Sequence, residues 1–216
     1  MIGTEHPPLR SRRQFVLRRL HSLSGVFPIG AYLLAHIFLE NTFILGGGAR
    51  FDQLVGFIAT FPTPVLLGAE ILFVWGPLLF HSIYGLVRVG QADLANPLRQ
   101  DYLGGQLYTL QRLSGVIAFL FVGFHVWSTR VQYYLGRVDI SYAYMHGQMS
   151  DPIIFGVYVV GVLAAVFHFT NGLWTFCITW GITVGQGAQR TVRALALVLF
   201  AAMYGTAFAI LVAFRA

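Results

Sequence analysis

Apolar residues fall into five long runs, separated by shorter segments that hold most of the charged and turn-forming residues. A helix needs about 20 predominantly apolar residues to cross the hydrocarbon core of a bilayer, and every run reaches that length. The pattern predicts an all-α integral membrane protein, with five transmembrane helices in one domain over 1–216. The predicted helices cover 15–39, 64–88, 110–134, 152–180 and 192–214.

Signals at the ends of these runs agree with helix boundaries. Pro62 and Pro64 suit the start of the second helix, and Asp151 with Pro152 provides a cap and a first-turn proline for the fourth. The basic segment RSRRQ before the first run is typical of a signal peptide. The run that follows is too long for one, however, and no small-residue cleavage site follows it. We expect the first helix to stay in the mature protein.

Arginine placement predicts the orientation, because basic residues near helix ends are retained on the cytoplasmic side. With the N-terminus in the cytoplasm, ten arginines fall on the inner side and four on the outer side. We therefore expect a multi-pass protein of the cytoplasmic (inner) membrane. The inner arginines are Arg10, Arg12, Arg13, Arg18, Arg19, Arg88, Arg99, Arg112, Arg190 and Arg193, and the outer ones are Arg50, Arg130, Arg137 and Arg215.

Composition excludes several classes of protein. The chain is 56% hydrophobic and 10% charged, whereas about a quarter of the residues of a soluble domain are charged. All 14 basic residues are arginines that flank apolar runs, which argues against nucleic-acid binding. The single cysteine, Cys177, excludes an internal disulfide, a cysteine-ligated iron–sulfur cluster and haem attachment through C-x-x-C-H.

Two short motifs occur twice and suggest an internal duplication. LSGV occupies 23–26 and again 113–116, an offset of 90 residues, and H-x-x-x-G-L occupies 81–86 and again 168–173, an offset of 87. The first two helices thus correspond to the third and fourth.

Each of the first four runs contains one histidine deep inside the predicted membrane span, whereas His21, the other histidine of the first run, lies at the inner interface. A histidine deep in a span is costly and usually faces the bundle interior with a partner. His81 and His168 each lie 17 residues, about 25 Å, from the outer end of their helix. His36 and His125 lie 17 and 13 residues, about 25 and 20 Å, from the inner end of theirs. Depth therefore pairs His81 with His168 in the inner half and His36 with His125 in the outer half of a four-helix bundle.

Two imidazoles at each depth suit haem better than zinc. Zinc takes a third or fourth ligand, and neither the acids nor the lone cysteine supply one at both depths. Gly30, Gly85, Gly123 and Gly172 lie within two turns of the histidines and are expected to leave room for a macrocycle. Two bis-histidine b haems, with irons about 10–15 Å apart along the membrane normal, would carry electrons across the bilayer. With no open iron position, electron transfer is favoured over oxygen chemistry.

Longer motifs resemble one family. The chain is similar to the cytochrome b558 membrane-anchor subunit of succinate dehydrogenase, of the one-subunit, two-haem type typified in Bacillus. The resemblance runs from about 14 to 193, and its last motif is the most specific. The motifs are RRLHSLSGV at 18–26, GPLLFHSIYGL at 76–86, LQRLSGV at 110–116, FHVW at 124–127 and VFHFTNGLWTFCITWGITV at 166–184.

The resemblance implies the cofactors and partners. It implies two b haems, an outer low-potential haem on His36 and His125 and an inner high-potential haem on His81 and His168. Partner subunits would hold FAD and iron–sulfur clusters on the cytoplasmic side, so the succinate-oxidising site lies outside this chain. Electrons would pass from the iron–sulfur subunit through both haems to a quinone, with menaquinone the usual acceptor of such anchors. Fumarate reductases share this architecture and run the chemistry backwards.

Further candidate site residues lie near the predicted haems. Glu70 lies inside the outer half of the second helix, 11 residues from His81 and so on nearly the same face. We interpret it as a proton relay for quinone, or else as a neutral acid hydrogen-bonded to a neighbouring helix. Arg112, His21 and Ser22 are candidates for contacts with a haem propionate, because donors of this kind pair with carboxylates.

Two other classes of protein remain open. A cytochrome b anchor of a formate dehydrogenase or hydrogenase also binds haem through membrane histidines, but the HFTNGLW motif disfavours it. A haem-free transport or assembly protein would hold its histidines in hydrogen bonds between helices. A b-type visible spectrum would exclude this last class.

Overall fold

The structure is a computed structural model that describes the backbone of residues 9–91 and 103–216 and the side chains of 12–91 and 105–216. Within those ranges the regular elements are helices, and no strand is present. Arg99, counted above among the inner arginines, lies outside the described residues, as does the side chain of Arg10.

Among the described residues, five helices are long and apolar enough to cross a membrane, as the sequence predicts. Numbered in chain order together with two short helices, α2 and α5, they are α1 (Arg12–Gly46), α3 (Thr63–Gly90), α4 (Gly105–Tyr134), α6 (Pro152–Thr179) and α7 (Gln186–Arg215). Helix α1 ends seven residues after its predicted end, and α7 begins six residues before its predicted start. An apolar run marks the hydrocarbon core, whereas a helix can continue into the headgroup region.

Helix α1 changes its geometry along its length. Pro28 lacks a backbone N–H and starts a second α-helical segment after Phe27. A π turn over His36–Glu40 and a 3-10 turn over Asn41–Gly46 follow, and Gly47, with φ of 98°, ends the helix. Because π turns are frequent at functional sites, their positions are informative. Two more occur among the described residues, at Ile71–Trp75 in α3 and Trp127–Val131 in α4.

The two longer connections each contain a short helix, α2 (Gly48–Ala59) and α5 (Tyr142–Ser150). The Asp52 carboxylate accepts a hydrogen bond from the backbone N–H of Tyr142 at 2.6 Å and so joins the two connections. The predicted cap of α6 is confirmed, since Asp151 accepts from two backbone N–H groups of the first turn, at 2.7 and 3.0 Å, ahead of Pro152.

The most buried part of the described residues lies among α5, α6 and α7. Met149, Val166 and Met203, one from each helix, have no exposed surface. Helix α6 packs against both α4 and α7, and α1 packs against α3 and α6. Helix α3, by contrast, has no buried residue, and Leu72 is 66% exposed. In a bilayer such side chains face lipid.

Close contact between α4 and α6 depends on Gly161. A Cβ at this position would overlap the ring of Phe121. Gly161→Ala should therefore strain the packing of the two helices and destabilise the protein by about 1–3 kcal/mol. The thermal unfolding midpoint of the solubilised protein, followed by circular dichroism, checks this. Gly156→Ala in the same helix is the control, because a Cβ there meets nothing within 4 Å. An equal loss in both variants would contradict the prediction.

Candidate functional site

The structure brings the four membrane histidines together in two pairs. We call His36 and His125 the outer pair and His81 and His168 the inner pair, after the predicted orientation. The ring centroids are 6.0 Å apart in the outer pair and 6.1 Å apart in the inner pair. In both pairs the rings are steeply inclined, at 65° and 84°. Each pair joins one helix of the first half of the chain to one of the second half.

The spacing of the rings suits a metal ion held between two imidazoles. A metal–imidazole bond is about 2 Å, and a ring nitrogen lies about 1 Å from its ring centroid, so two ligands across one metal have centroids about 6 Å apart. No group of three or more His, Cys, Asp or Glu side chains with metal-site spacing occurs in the described part of the chain. Each pair therefore offers two ligands, which matches the axial positions of a haem iron.

In the inner pair, each imidazole donates from Nδ1 to a backbone carbonyl. His81 donates to the carbonyl oxygen of His21 at 3.0 Å, and His168 donates to that of Gln111 at 2.8 Å. A carbonyl can only accept, so the proton must lie on Nδ1. The bare Nε2 of each ring is then free to bind a metal, and the hydrogen bond orients the ring.

The outer pair has side-chain partners instead. His36 Nδ1 lies 2.8 Å from a carboxylate oxygen of Glu40, one turn later in the same π turn. His125 Nδ1 lies 3.1 Å from the hydroxyl of Tyr158 on α6. His36 opens one π turn, and His125 stands two residues before another. The outer pair therefore combines a charged partner on one side with a neutral one on the other.

Two glycines allow the inner rings to lie directly on neighbouring helices. A Cβ on Gly25 would lie 2.5 Å from Cε1 of His81, and a Cβ on Gly115 would lie 2.7 Å from Cε1 of His168. These glycines belong to the two LSGV motifs, and the accepting carbonyls stand four residues before them, at His21 and Gln111. The repeat in the sequence thus marks two copies of one docking surface for an imidazole.

The four glycines expected to leave room near the histidines behave differently from one another. Gly123 faces open space, since a Cβ there would meet nothing within 4 Å. Gly30 lies against the ring of Phe169, whereas Gly85 and Gly172 face polar groups of His21 and Gln111. The expectation of open space is therefore wrong at three of the four, because these glycines allow close contact between helices.

Polar residues missed in the sequence complete the inner pair. The Gln111 amide donates to the carbonyl of His168 at 2.9 Å and accepts from the Asn171 amide at 2.6 Å. Asn171 is 8% exposed, so this network between α4 and α6 is shielded from solvent. On the other side, the ring of His21 stacks on His81 with centroids 4.1 Å apart. The polar residue four positions before the glycine of each LSGV motif, His21 in one and Gln111 in the other, was the signal available.

The three candidate propionate residues are not joined to one another by a hydrogen bond in the described ranges. His21 lies against the inner pair, as described above. Ser22 accepts from the indole N–H of Trp180 at 3.3 Å. The guanidinium of Arg112 lies 3.2 Å from the ring centroid of Tyr108 and donates to that residue's carbonyl at 2.9 Å. Its Nε is buried without a partner among the described residues, so one donor is left over.

Glu70 is held between helices by several donors. Its carboxylate forms an ion pair with Arg130 of α4 and accepts from the hydroxyl of Tyr134 at 3.0 Å and the indole of Trp75 at 3.3 Å. The ion pair is only partly exposed, 20% for Arg130 and 23% for Glu70. The ion pair and the hydrogen bond from Tyr134 therefore connect α3 to α4.

These features define a helical, multi-pass membrane subunit with paired imidazoles across its bundle. Residues 91–210 match the family described as succinate dehydrogenase/fumarate reductase transmembrane subunit. The chain is also 37% identical, over 195 residues, to a protein named succinate dehydrogenase cytochrome b558 subunit from Bacillus subtilis (strain 168), with 90% of this chain and 94% of that protein covered. The chain belongs to the succinate dehydrogenase/fumarate reductase transmembrane subunit family. The resemblance and the general function inferred from the sequence are confirmed.

The contact between Glu70 and Arg130 should be measurable as a coupling energy. Glu70→Gln or Arg130→Gln alone leaves a partly buried charge unpaired, whereas the double variant removes both charges. We expect a coupling of about 0.5–3 kcal/mol in the free energy of unfolding of the purified protein. Glu70→Gln combined with Arg137→Gln is the control, because the exposed Arg137 forms no ion pair in the described residues. Additive effects for Glu70 and Arg130 would disprove the coupling.

Proposed function

We propose that the chain is the dihaem cytochrome b anchor of a succinate:quinone oxidoreductase. The outer and inner histidine pairs each hold one b haem, and the chain carries electrons from an iron–sulfur subunit to a quinone, with menaquinone as the expected acceptor. The observation that carries this proposal is the geometry of the pairs. Two imidazoles lie at the spacing that one metal requires, and hydrogen bonds from Nδ1 of each inner ring leave its Nε2 free to bind that metal.

Membership of the family supports the proposed partners. A flavoprotein that contains FAD oxidises succinate, and an iron–sulfur subunit passes electrons to the inner pair. The inner side is the cytoplasmic one, supported by ten arginines against four. The chain itself then contributes electron transfer and quinone binding, and no succinate-oxidising site.

Residues around the pairs hold and tune the ligands. A bound b haem supplies a one-electron carrier at each pair. The Glu40 carboxylate, 2.8 Å from Nδ1 of His36, would make that imidazole a stronger electron donor toward a bound iron and so favour the oxidised form. The inner imidazoles donate to neutral carbonyls instead. The difference supports a low-potential haem at the outer pair and a high-potential haem at the inner pair.

The inner pair also has donors for the acidic edge of a haem. We assign this role to Arg112, His21 and Ser22. The unpartnered Nε of Arg112 supports the assignment, because a buried donor without an acceptor is costly and a propionate would satisfy it. His21, stacked on His81, lies beside the same ligand.

Glu70 is proposed to exchange protons with quinone beside the outer pair. Its contacts with Arg130 and Tyr134 place a carboxylate, a guanidinium and a phenol together. These three side chains bring a carboxylate and a phenolic hydroxyl to one point of the membrane. Both can exchange protons, which suits a reaction that couples proton transfer to electron transfer.

The first test is the haem content of the purified complex. We expect a b-type reduced-minus-oxidised spectrum and two haems per chain by pyridine haemochrome assay. His81→Leu or His168→Leu should each retain one haem, because the outer pair stays intact. His146→Leu is the matched control and should retain two, since His146 bonds to the carbonyl of Phe214, away from both pairs. A wild-type complex without a b-type spectrum would overturn the proposal in favour of a haem-free protein.

The role of Glu70 is tested with Glu70→Gln in the same complex. Succinate should still reduce both haems, while turnover with a menaquinone analogue should fall by about 100-fold or more, because a proton-exchanging group is lost. Trp75→Phe is the control, since it removes one hydrogen bond to Glu70 and leaves the carboxylate in place. Unchanged quinone turnover in Glu70→Gln with intact haems would remove this role. Equal losses in the two variants would show that Glu70 acts on structure alone.

A further inference from the structure

A polar cavity lies between α6 and the start of α7, and no histidine of either pair lines it. It has a volume of about 180 Å³. Every residue that lines it can donate hydrogen bonds from nitrogen, two are cationic, and none is acidic. The lining residues are Trp174, Gln186, Gln189, Arg190 and Arg193.

Donors in this cavity lack acceptors. The indole Nε1 of Trp174 is buried and has no hydrogen-bond partner among the described residues. Neither Arg190 nor Arg193 forms an ion pair with another described residue, and both arginines are exposed. A buried donor left unsatisfied is costly, and an anion that accepts from several donors at once would relieve that cost.

Aromatic side chains lie between the same two helices, deeper in the span than the cavity. Seven residues are two helical turns, so Phe167 lies on the same face of α6 as Trp174, and Phe200 lies on the same face of α7 as Arg193. The rings of Phe167 and Phe200 meet edge to face, with centroids 6.2 Å apart. Tyr204 stacks on Phe200 at 6.0 Å, which extends the aromatic surface toward the middle of the span.

We propose that this cavity and the aromatic surface beside it bind an anionic phospholipid. The phosphate is held by Arg190 and Arg193 together with the indole N–H of Trp174, and an acyl chain lies along Phe200 and Tyr204. The order of side chains along the two helices supports a lipid, because cationic donors lie at the end of a span and aromatic side chains lie deeper in it. Basic pockets at the cytoplasmic ends of membrane helices are suited to acidic headgroups. No residue that lines the cavity is a proposed haem ligand.

The experiment compares lipid retention by the whole complex in two kinds of nanodisc. One contains phosphatidylcholine with phosphatidylglycerol, and the other contains phosphatidylcholine alone. Native mass spectrometry counts the bound lipids. We expect the wild-type complex to retain phosphatidylglycerol, and Arg190→Gln with Arg193→Gln to weaken its binding on the order of 30-fold. Trp174→Phe should weaken it less, by a few-fold, because one neutral hydrogen bond is lost.

Matched variants keep the outcome clear. Arg137→Gln, an exposed outer arginine, and Trp127→Phe, an exposed tryptophan of α4, should retain the lipid as the wild type does. Haem spectra and subunit composition check that every variant is assembled. Equal retention of phosphatidylcholine, or displacement of the lipid by millimolar inorganic phosphate, would overturn a lipid-specific site. So would loss of the iron–sulfur subunit from the double arginine variant, because the cavity would then be a protein contact.

Discussion

The inner half of the structure depends on one interaction. A membrane-buried imidazole donates from Nδ1 to a backbone carbonyl of a neighbouring helix. The carbonyl lies inside a regular helix, so the ring can reach it only by resting on the helix surface. Gly25 and Gly115 permit this, since a Cβ at either position would overlap the ring. Glycine, carbonyl and imidazole therefore act together. They set the approach of α3 to α1 and of α6 to α4, and they leave the opposite nitrogen of each ring bare.

The outer half follows a different electrostatic pattern. Two carboxylates, Glu40 and Glu70, lie in the membrane helices there, and each has a nitrogen partner, His36 and Arg130. Charges in a membrane persist when they are paired or perform a function. The inner pair, in contrast, is surrounded by neutral acceptors and by the amides of Gln111 and Asn171. Two chemically similar pairs of imidazoles thus have surroundings of different charge.

Much of this arrangement could be predicted from the sequence, because its signals are strong. Apolar runs of helical length located all five spans, and depth counting placed His36 with His125 and His81 with His168, the partners found in the structure. The haem ligation itself stays a prediction. What pattern reasoning missed were contacts made across helices. Gln111 and Asn171 carry no periodic signal, and the ion pair of Glu70 joins residues 60 positions apart. The roles of the glycines were also misassigned, since a sequence does not show which helix faces each one.

The crossed composition of the pairs has a consequence for biogenesis. Each pair takes one imidazole from α1 or α3 and the other from α4 or α6. A nascent chain that has inserted its first two spans presents isolated imidazoles, and the inner pair is completed only after α6 has entered the bilayer. Any group that needs both histidines of the inner pair can therefore bind only late in assembly. The order of translation is enough to impose this timing.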